Sequence, residues 1–516
     1  MMEIPEHLKP MVSLDVHKSV IRVDITQQRR SDIQTLIRQL RERYNRPFSV
    51  EGVDLSTLSA SASGKKNRPT QEVSFEFIKQ AVRDLINEAA EYRASDVHIV
   101  IGEAHTSVQF EVDGALRQLP TLAREKGELM IRAAYQSLAT ISDSSYMLSS
   151  FQNASIPGTE FKPALKVSGV RIQRGPCFPY DKGCEFMTLR VQYHDGGHRG
   201  RMRMCEYPFP KAPDVGPDFA AMGFDERQEQ LLTELMSSPN GIVFVTGPVG
   251  SGKSTTIFNM LAAKMHDRPY LRLVTVEDPI EVPIPGAVQL AVQNAHTEQE
   301  RSRAFQQAMN AMLRMAPRWM YFGEIRDEVV AQVALESAIS GHEIYTTLHL
   351  SDPFQWAERL AGLNRSGLLN KKNYCDAKQV RGVIGQRLLS LLCPACASAL
   401  PEDPTRRQRA RGLLEDLRTW GDCERVQFRG SGCRECGYSG VSGRVVVAEI
   451  ILTNPKMMAD LLTGGPEVAR RRYAELPEAD LPLIQRGIRW ALSGRIDPFE
   501  VIERIDLIQP QSVLRG

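Results

Sequence analysis

No apolar stretch in the 516 residues reaches the roughly 20 needed to span a bilayer as a helix, so no membrane-spanning helix is expected. The opening segment, MMEIPEHLKPMVSLDVHK, lacks the charged-then-apolar pattern of a secretory signal. Cysteine is scarce and odd in number, 9 in all, which argues against a secreted disulfide framework. Charge of one sign is missing too. Lys+Arg 64 against Asp+Glu 62 leaves +2, whereas a dedicated nucleic-acid binder shows a clear basic excess or a basic face. No internal repeat is present. What remains, 42% hydrophobic and 24% charged residues, is ordinary globular usage. The length suggests about three domains. The chain reads as a cytoplasmic protein whose membrane association would be peripheral and through partners.

Residues 1–70 read as a short docking segment and linker. Ser31 or Asp32 caps an expected amphipathic helix with Ile33, Leu36, Ile37 and Leu40 on one face, and Ser56–Thr70 has linker composition. Residues 71–194 read as an α+β domain. Ile78, Ala81, Val82, Leu85, Ile86 and Ala89 follow Ser74 at helical spacing. Ala94–Ile99 alternates like a strand, and Ser107–Arg117 is an alternating run broken at Asp113-Gly114, a hairpin signal. Further strands are expected near 165–173 and 185–192. Residues 195–218, rich in Gly, Pro, Arg and His, read as a mobile interdomain linker. From 219 to 453 strands and helices alternate, as a parallel α/β fold requires. Residues 454–516 turn helical, with Ile484, Ile488, Ala491 and Leu492 as an apolar stripe.

Gly241–Thr246 is a short apolar run of buried-strand type. Directly after it stands Gly247-Pro248-Val249-Gly250-Ser251-Gly252-Lys253-Ser254, a full match to GxxxxGK[ST], followed by Thr255. The glycines let successive backbone N–H groups point at phosphate oxygens. Lys253 brings a point charge to the β- and γ-phosphates, the Ser254 hydroxyl is the expected Mg²⁺ ligand, and the following helix adds its positive dipole end. A strand before and a helix after make a chance match untenable. A nucleoside triphosphate, ATP, is the expected ligand.

Three more apolar strands end in chemistry. Leu273–Val276 runs into Glu277, Asp278 and Glu281; Trp319–Phe322 runs into Glu324; and Gly341–His349 places His342 and His349 at the two ends of a third strand. Residues just past the carboxyl ends of parallel strands converge on the ligand crevice. All these groups are therefore expected around the phosphates, where a carboxylate orients water and a histidine senses the γ-phosphate. Taken singly, each segment also reads as an ordinary turn or a satisfied histidine.

Through these boxes, Phe224–Ile451 resembles the secretion ATPases of type II secretion and type IV pilus assembly. GPVGSGKSTT, VTVEDPIE, GEIRD and SGHEIYTTLH are similar to that family's Walker A, Asp, Walker B and His boxes, and GVIGQRL, GRVVVAEI and ASDVHI also match. The resemblance implies a RecA-like P-loop ATPase domain preceded by a smaller, PAS-like α+β domain, assembled as a homohexamer. It implies ATP hydrolysis that drives pilin or pseudopilin assembly through an inner-membrane platform protein. It further implies that Arg171 and Arg190 of the first domain reach the phosphates, that Glu324 holds a Mg²⁺-bound water, and that Glu277 or Glu281 acts as base. Some positions depart from the family pattern. Arg318 follows Pro317 where an Asp is usual, Gln109 and Glu111 stand where arginines are usual, and an insertion holding Cys177 and Cys184 separates Arg171 from Arg190. The alternatives to an assembly motor are a retraction motor, a ring translocating DNA in conjugation, and a nucleotide-binding scaffold without hydrolysis.

Cys393-x-x-Cys396 and Cys433-x-x-Cys436 form two knuckles whose four thiolates suit a closed tetrahedral Zn²⁺ site in a lobe spanning 390–440. A redox pair or free thiols are the alternatives. Within the resembled family this lobe accompanies assembly and secretion members. Cys177, Cys184, Cys205, Cys375 and Cys423 receive no role.

Overall fold

A computed structural model describes residues 12–15, 20–24, 33, 35–38, 49–53, 75–194, 203–213, 218–292 and 297–514. These fall into two compact units, Met1–Ser74 and Phe75–Gly516.

The first unit holds β1 (Val12–Asp15), β2 (Val20–Asp24) and β3 (Ser49–Val53), with β1 antiparallel and β3 parallel to β2. Ile33, Leu36 and Ile37 are helical and buried, as their spacing predicts, and Val12, Ile21 and Val23 are buried on the strands. The strands were not foreseen, because runs of four or five residues carry little periodic signal. Ser31, Asp32, Leu40 and the expected linker at 56–70 lie outside the described residues.

The second unit begins with helix α1 (Phe75–Glu91). Next come strands β4 (Asp96–Ile101), β5 (His105–Val112), β6 (Ala115–Gln118) and β7 (Leu122–Ala123), then α2 (Arg124–Ala133). Strands β8 (Ile141–Ser142), β9 (Gln152–Pro157), β10 (Val167–Pro176) and β11 (Glu185–Tyr193) complete an antiparallel sheet of order β6-β5-β4-β11-β10-β9-β8, with β7 on β5. Asp113 (φ 53°) and Gly114 (φ 72°) both adopt positive φ, as the two-residue hairpin turn demands. Ile78, Val82 and Ile86 of α1 and Met130 and Ile131 of α2 pack on Val97, Ile99, Val108 and Phe110. The stretch expected as a free linker is in part tied down. Over the described residues 203–213, Tyr207 packs edge-on to Tyr92 and Phe110, its hydroxyl donates to Glu88 (2.5 Å), and the Gln118 amide donates to Pro208 O.

Beyond it, strands and helices alternate as expected. β12 (Gly241–Thr246), β13 (Leu273–Glu277), β14 (Val288–Ala291), β15 (Trp319–Phe322), β16 (Glu343–Leu348), β17 (Val380–Leu392) and β18 (Val441–Leu452) form a sheet of order β14-β13-β15-β16-β12-β17-β18. Every neighbouring pair is parallel except β17–β18. Side-chain alternation along β12 divides the core between two faces. Val243 and Val245 meet Leu231, Leu232 and Leu235 of α3 (Glu226–Ser237) and Ile257, Met260 and Leu261 of α4 (Lys253–Asp267). Ile242 and Phe244 meet Met309 of α5 (Glu298–Met312), Ala334 of α6 (Glu328–Ile339) and Trp356 and Leu360 of α7 (Trp356–Leu363). The four-cysteine lobe contains a helix, α8 (Pro404–Arg418), and its Leu413, Leu417 and Phe428 pack against Leu483, Ile488 and Ala491 of α9 (Leu483–Leu492). No helix among the described residues is long and apolar enough to cross a membrane.

Trp356 is fully buried, stacked on Phe244 at 5.6 Å and edge-on to Tyr374 at 6.0 Å. Trp356→Ala is expected to lower unfolding free energy by about 3–5 kcal/mol, the range for deleting a large buried aromatic. Denaturant titration checks this, and a loss below about 1 kcal/mol would contradict the packing.

Candidate functional site

The turn after β12 is shaped by its glycines. Gly247 (φ 153°) lies so close to β17 that a Cβ there would sit 2.5 Å from the Gln386 carbonyl, and Gly252 (φ 82°) opens α4 in a left-handed conformation. Buried Gln386 donates through Nε2 to Ser251 O at 2.7 Å, which latches the loop to β17. Lys253 Nζ donates to Gly247 O (2.9 Å) and Pro248 O (3.0 Å). Burial lowers the Lys253 pKa, and the Glu324 carboxylate opposes that shift. Ser254 and Tyr321 of β15 line the same cavity.

This loop forms one wall of a cavity of about 560 Å³. Val249, Gly250, Ser251, Gly252, Lys253, Ser254 and Thr255 all line it, while Gly247 and Pro248 lie beneath as acceptors for Lys253. The opposite wall carries Glu277 at the end of β13, Glu281 on the loop beyond it, Glu324 after β15 and His349 after β16.

The acids are held differently. Glu277 is only 2% exposed, and burial raises its pKa. Thr275 Oγ1 (2.5 Å) and Gln289 Nε2 (2.9 Å) both donate to its Oε1, pulling the other way. Asp278 sits between Arg301 Nε (3.4 Å) and Arg326 Nη1 (3.6 Å). Glu324 accepts from Arg326 Nε (2.7 Å) and faces His349 Nε2 at 3.4 Å. Burial and then the Lys253 cation lower the His349 pKa, so the imidazole is neutral near pH 7. Glu281 stays exposed at the rim.

Three expected residues lie elsewhere. His342 precedes β16, so a six-residue strand, about 20 Å long, separates it from the phosphate rim. Its Nδ1 lies 3.0 Å from Pro317 O at the opposite end of the sheet, which corrects its expected place at the phosphates. Arg171 and Arg190 are cross-strand partners on β10 and β11 and line a separate cavity of about 440 Å³ with Asn153, Leu313 and Arg314. Neither lines the phosphate cavity, and Arg190 pairs with buried Asp96 (3.0 Å). Conversely, Arg301, Arg326, Arg444, Tyr321 and Gln386 serve the site without having been singled out. Arg326 and Gln386 stand inside the boxes GEIRD and GVIGQRL, so the motifs carried them unassigned. Arg301, on an acid-rich helical turn, gives no sequence signal at all.

The two cysteine knuckles converge. The Sγ atoms of Cys393, Cys396, Cys433 and Cys436 lie within 4.8 Å of one another, with Cys393–Cys433 at 3.8 Å, Cys396–Cys436 at 3.9 Å and Cys433–Cys436 at 3.8 Å. Disulfide sulfurs sit about 2.05 Å apart, whereas a tetrahedron with Zn–S of about 2.3 Å places its sulfurs about 3.8 Å apart. The donor set fits that ion. The Cys433 and Gly440 amides each lie 3.2 Å from Cys436 Sγ, and such donors bring that thiol down to about 6, favouring a thiolate. Cys423 faces Leu414 O and Gly421 O, outside the cluster.

The family described as Type II/IV secretion system protein matches residues 209–501. A Thermus thermophilus protein named type IV pilus assembly ATPase PilB is 29% identical over 436 residues, covering 83% of this chain and 42% of its own. The type II secretion system protein E of Pectobacterium carotovorum is 28% identical over 426 residues, covering 82% of this chain and 75% of its own. Thus the chain spans less than half the length of the first relative and three quarters of the second. The crystal structure of the pilus retraction motor PilT with bound ADP aligns with a TM-score of 0.39 and 20% identity, over 81% of this chain and 95% of that one. The family match spans more than half the chain and contains the phosphate loop, the strand-end acids and the cysteine lobe, so the chain belongs to the Type II/IV secretion system protein family.

Proposed function

We propose that this family member is a motor ATPase that hydrolyses ATP to power assembly of a type IV pilus or type II secretion pseudopilus. It would work as a homohexamer in the cytoplasm, held peripherally at the inner membrane by a platform protein. One observation carries the reading: a phosphate loop, two strand-end glutamates and a neutral histidine face one cavity.

The loop amides and Lys253 bind the triphosphate. Ser254 and Glu324 would hold a Mg²⁺ ion, which would neutralise charge developing on the phosphates. Glu277, buried and fixed by two donors to one oxygen, suits the base that takes a proton from the attacking water. Glu281, exposed on the loop that follows, is the weaker candidate. His349 senses the γ-phosphate as a hydrogen-bonding partner. Arg171 and Arg190 stand directly opposite each other, an unfavourable like-charge pairing that an anion relieves, and Asp96 compensates only one of them. Their supply to a phosphate during domain movement fits the family resemblance. A four-sulfur cluster suited to Zn²⁺ supports assembly over retraction, and the near-neutral charge argues against DNA translocation.

Lys253→Ala is expected to cut ATP turnover by about 100-fold or more, since preorganised charge at the transferred phosphoryl dominates such reactions. Purified protein hydrolysing at the same rate with and without the lysine would sink the enzyme reading. Stimulation by DNA, rather than by a platform-protein fragment, would favour translocation. Elemental analysis should find one zinc per chain in the wild type and none after Cys393→Ser with Cys436→Ser, together with a lower melting temperature. A metal-free wild type of undiminished stability refutes the zinc centre.

A further inference from the structure

The turn from Cys177 to Cys184 joins β10 to β11 and leans on β14, the edge strand of the parallel sheet. The Phe178 amide donates to Gln289 O at 2.9 Å, and Tyr180 Oη lies 3.4 Å from the same carbonyl. Ala291 N–H donates to Tyr180 Oη. Cys177, Cys184 and Phe186 share one buried cluster with Val288 and Leu290. The α+β domain thus grips β14 through apolar packing and polar contacts to main-chain groups of Gln289 and Ala291.

From the gripped residue the side chain runs to the active cavity. Gln289 is only 4% exposed, and its amide is engaged at both ends. Nε2 donates to Glu277 Oε1 (2.9 Å) and to Val282 O (3.0 Å), and Oε1 accepts from Ile284 N–H (2.7 Å). One amide therefore ties the carboxylate at the end of β13 to the loop that carries Glu281. A glutamine that only filled space would need neither contact with that carboxylate nor a main chain held by another domain.

We propose that Gln289 is the positioning residue through which the Cys177–Cys184 turn of the α+β domain sets Glu277 for hydrolysis. The inference rests on Glu277 taking part in that chemistry. A change in how the turn seats on β14 moves the Gln289 backbone and, with it, the donor on Glu277 Oε1. Movement of the first domain is thereby read at the carboxylate by a path that does not pass through Arg171 or Arg190.

The test is steady-state ATP hydrolysis by the full chain, with the pH dependence of kcat. Glu277 faces Thr275 on its own strand, Glu281 on the following loop, Tyr321 on β15 and Tyr180 on the turn, with Lys253 and Glu324 in the same cavity. None of these is altered in Gln289→Leu. That variant is expected to lower kcat about tenfold with KM for ATP within about twofold. A hydrogen bond to the charged carboxylate holds its pKa down, so losing it raises the pKa and moves the acid limb of kcat to higher pH. Tyr180→Phe, a single hydroxyl deletion that spares the fold, is expected to shift the limb in the same direction by less. In the Gln289→Leu background its effect on kcat should vanish, because the path is already cut. An unmoved limb in Gln289→Leu, or a Tyr180→Phe effect that survives undiminished in that background, overturns the coupling. Glu277→Gln separates the two failures. Loss of turnover there beside an unaffected Gln289→Leu removes only the coupling, whereas wild-type turnover removes Glu277 from the chemistry and the proposal with it.

Discussion

Strand direction is the constraint on which the rest depends. Six parallel strands end on one rim, and their register aligns those ends closely: Val276 pairs with Phe322, Phe322 with Thr346, and Thr246 with Leu348. The residues that follow, Glu277, Glu324, His349 and the phosphate loop, are therefore brought together by hydrogen-bond register before any side chain interacts. A one-residue slip would turn each of these groups to the other face. Burial of these strands on both faces makes such a slip costly, because each would expose apolar surface and leave polar groups unpaired.

The convergence creates an electrostatic problem. The cavity gathers Glu277, Asp278, Glu281, Glu298, Glu324 and Asp327 against Lys253, Arg301, Arg326 and Arg444, six acids to four cations. Asp278 and Glu324 are each partly compensated by arginine, and Asp327 is spent capping α6 through Val330 N–H. A triphosphate adds further negative charge to a wall already short of cations. A divalent ion on the nucleotide would offset part of this excess, which fits the proposed magnesium-bound nucleotide better than a free one. At His349, burial and the Lys253 cation outweigh the facing glutamate and lower the imidazole pKa, so this acid-rich wall does not gain a further fixed charge there.

Much of this was legible in the chain because buried parallel strands are near-continuous apolar runs, so GIVFVT, LVTV, WMYF and EIYTTL announce themselves as buried strands. The Asp113-Gly114 turn and the helical spacing from Ile78 to Ala89 were legible for the same local reason. His342 shows where local reading fails. The box that contains it spans a whole strand, and only direction decides which end meets the phosphates. Gln386, Gln289 and Arg301 show a second limit, since their partners are distant in sequence and a lone glutamine or arginine carries no pattern. Arg171 and Arg190 are a third case. Their strands were legible, yet the face they share and the Asp96 that holds one of them depend on how a whole antiparallel sheet assembles.

The β17–β18 hairpin connects the two candidate sites. Its first half completes the sheet, with Ile242–Thr246 paired along Val380–Gly385, and its second half runs past the sheet to Leu392, which pairs with Val441. The knuckles begin immediately beyond, at Cys393 and at Cys436 a few residues before β18. A zinc ion there would close the open end of the hairpin, replacing apolar burial that so small a lobe cannot supply by itself. Between the two anchored ends lie Gln386, which latches the phosphate loop, and Leu388 and Arg444, which line the cavity. Ser390 pairs with Arg444 across the hairpin, so fraying from the cysteine end would displace Arg444 before it reached Gln386. The cysteine lobe, remote from the phosphate loop in sequence, is thus joined to the cavity wall by continuous strand pairing.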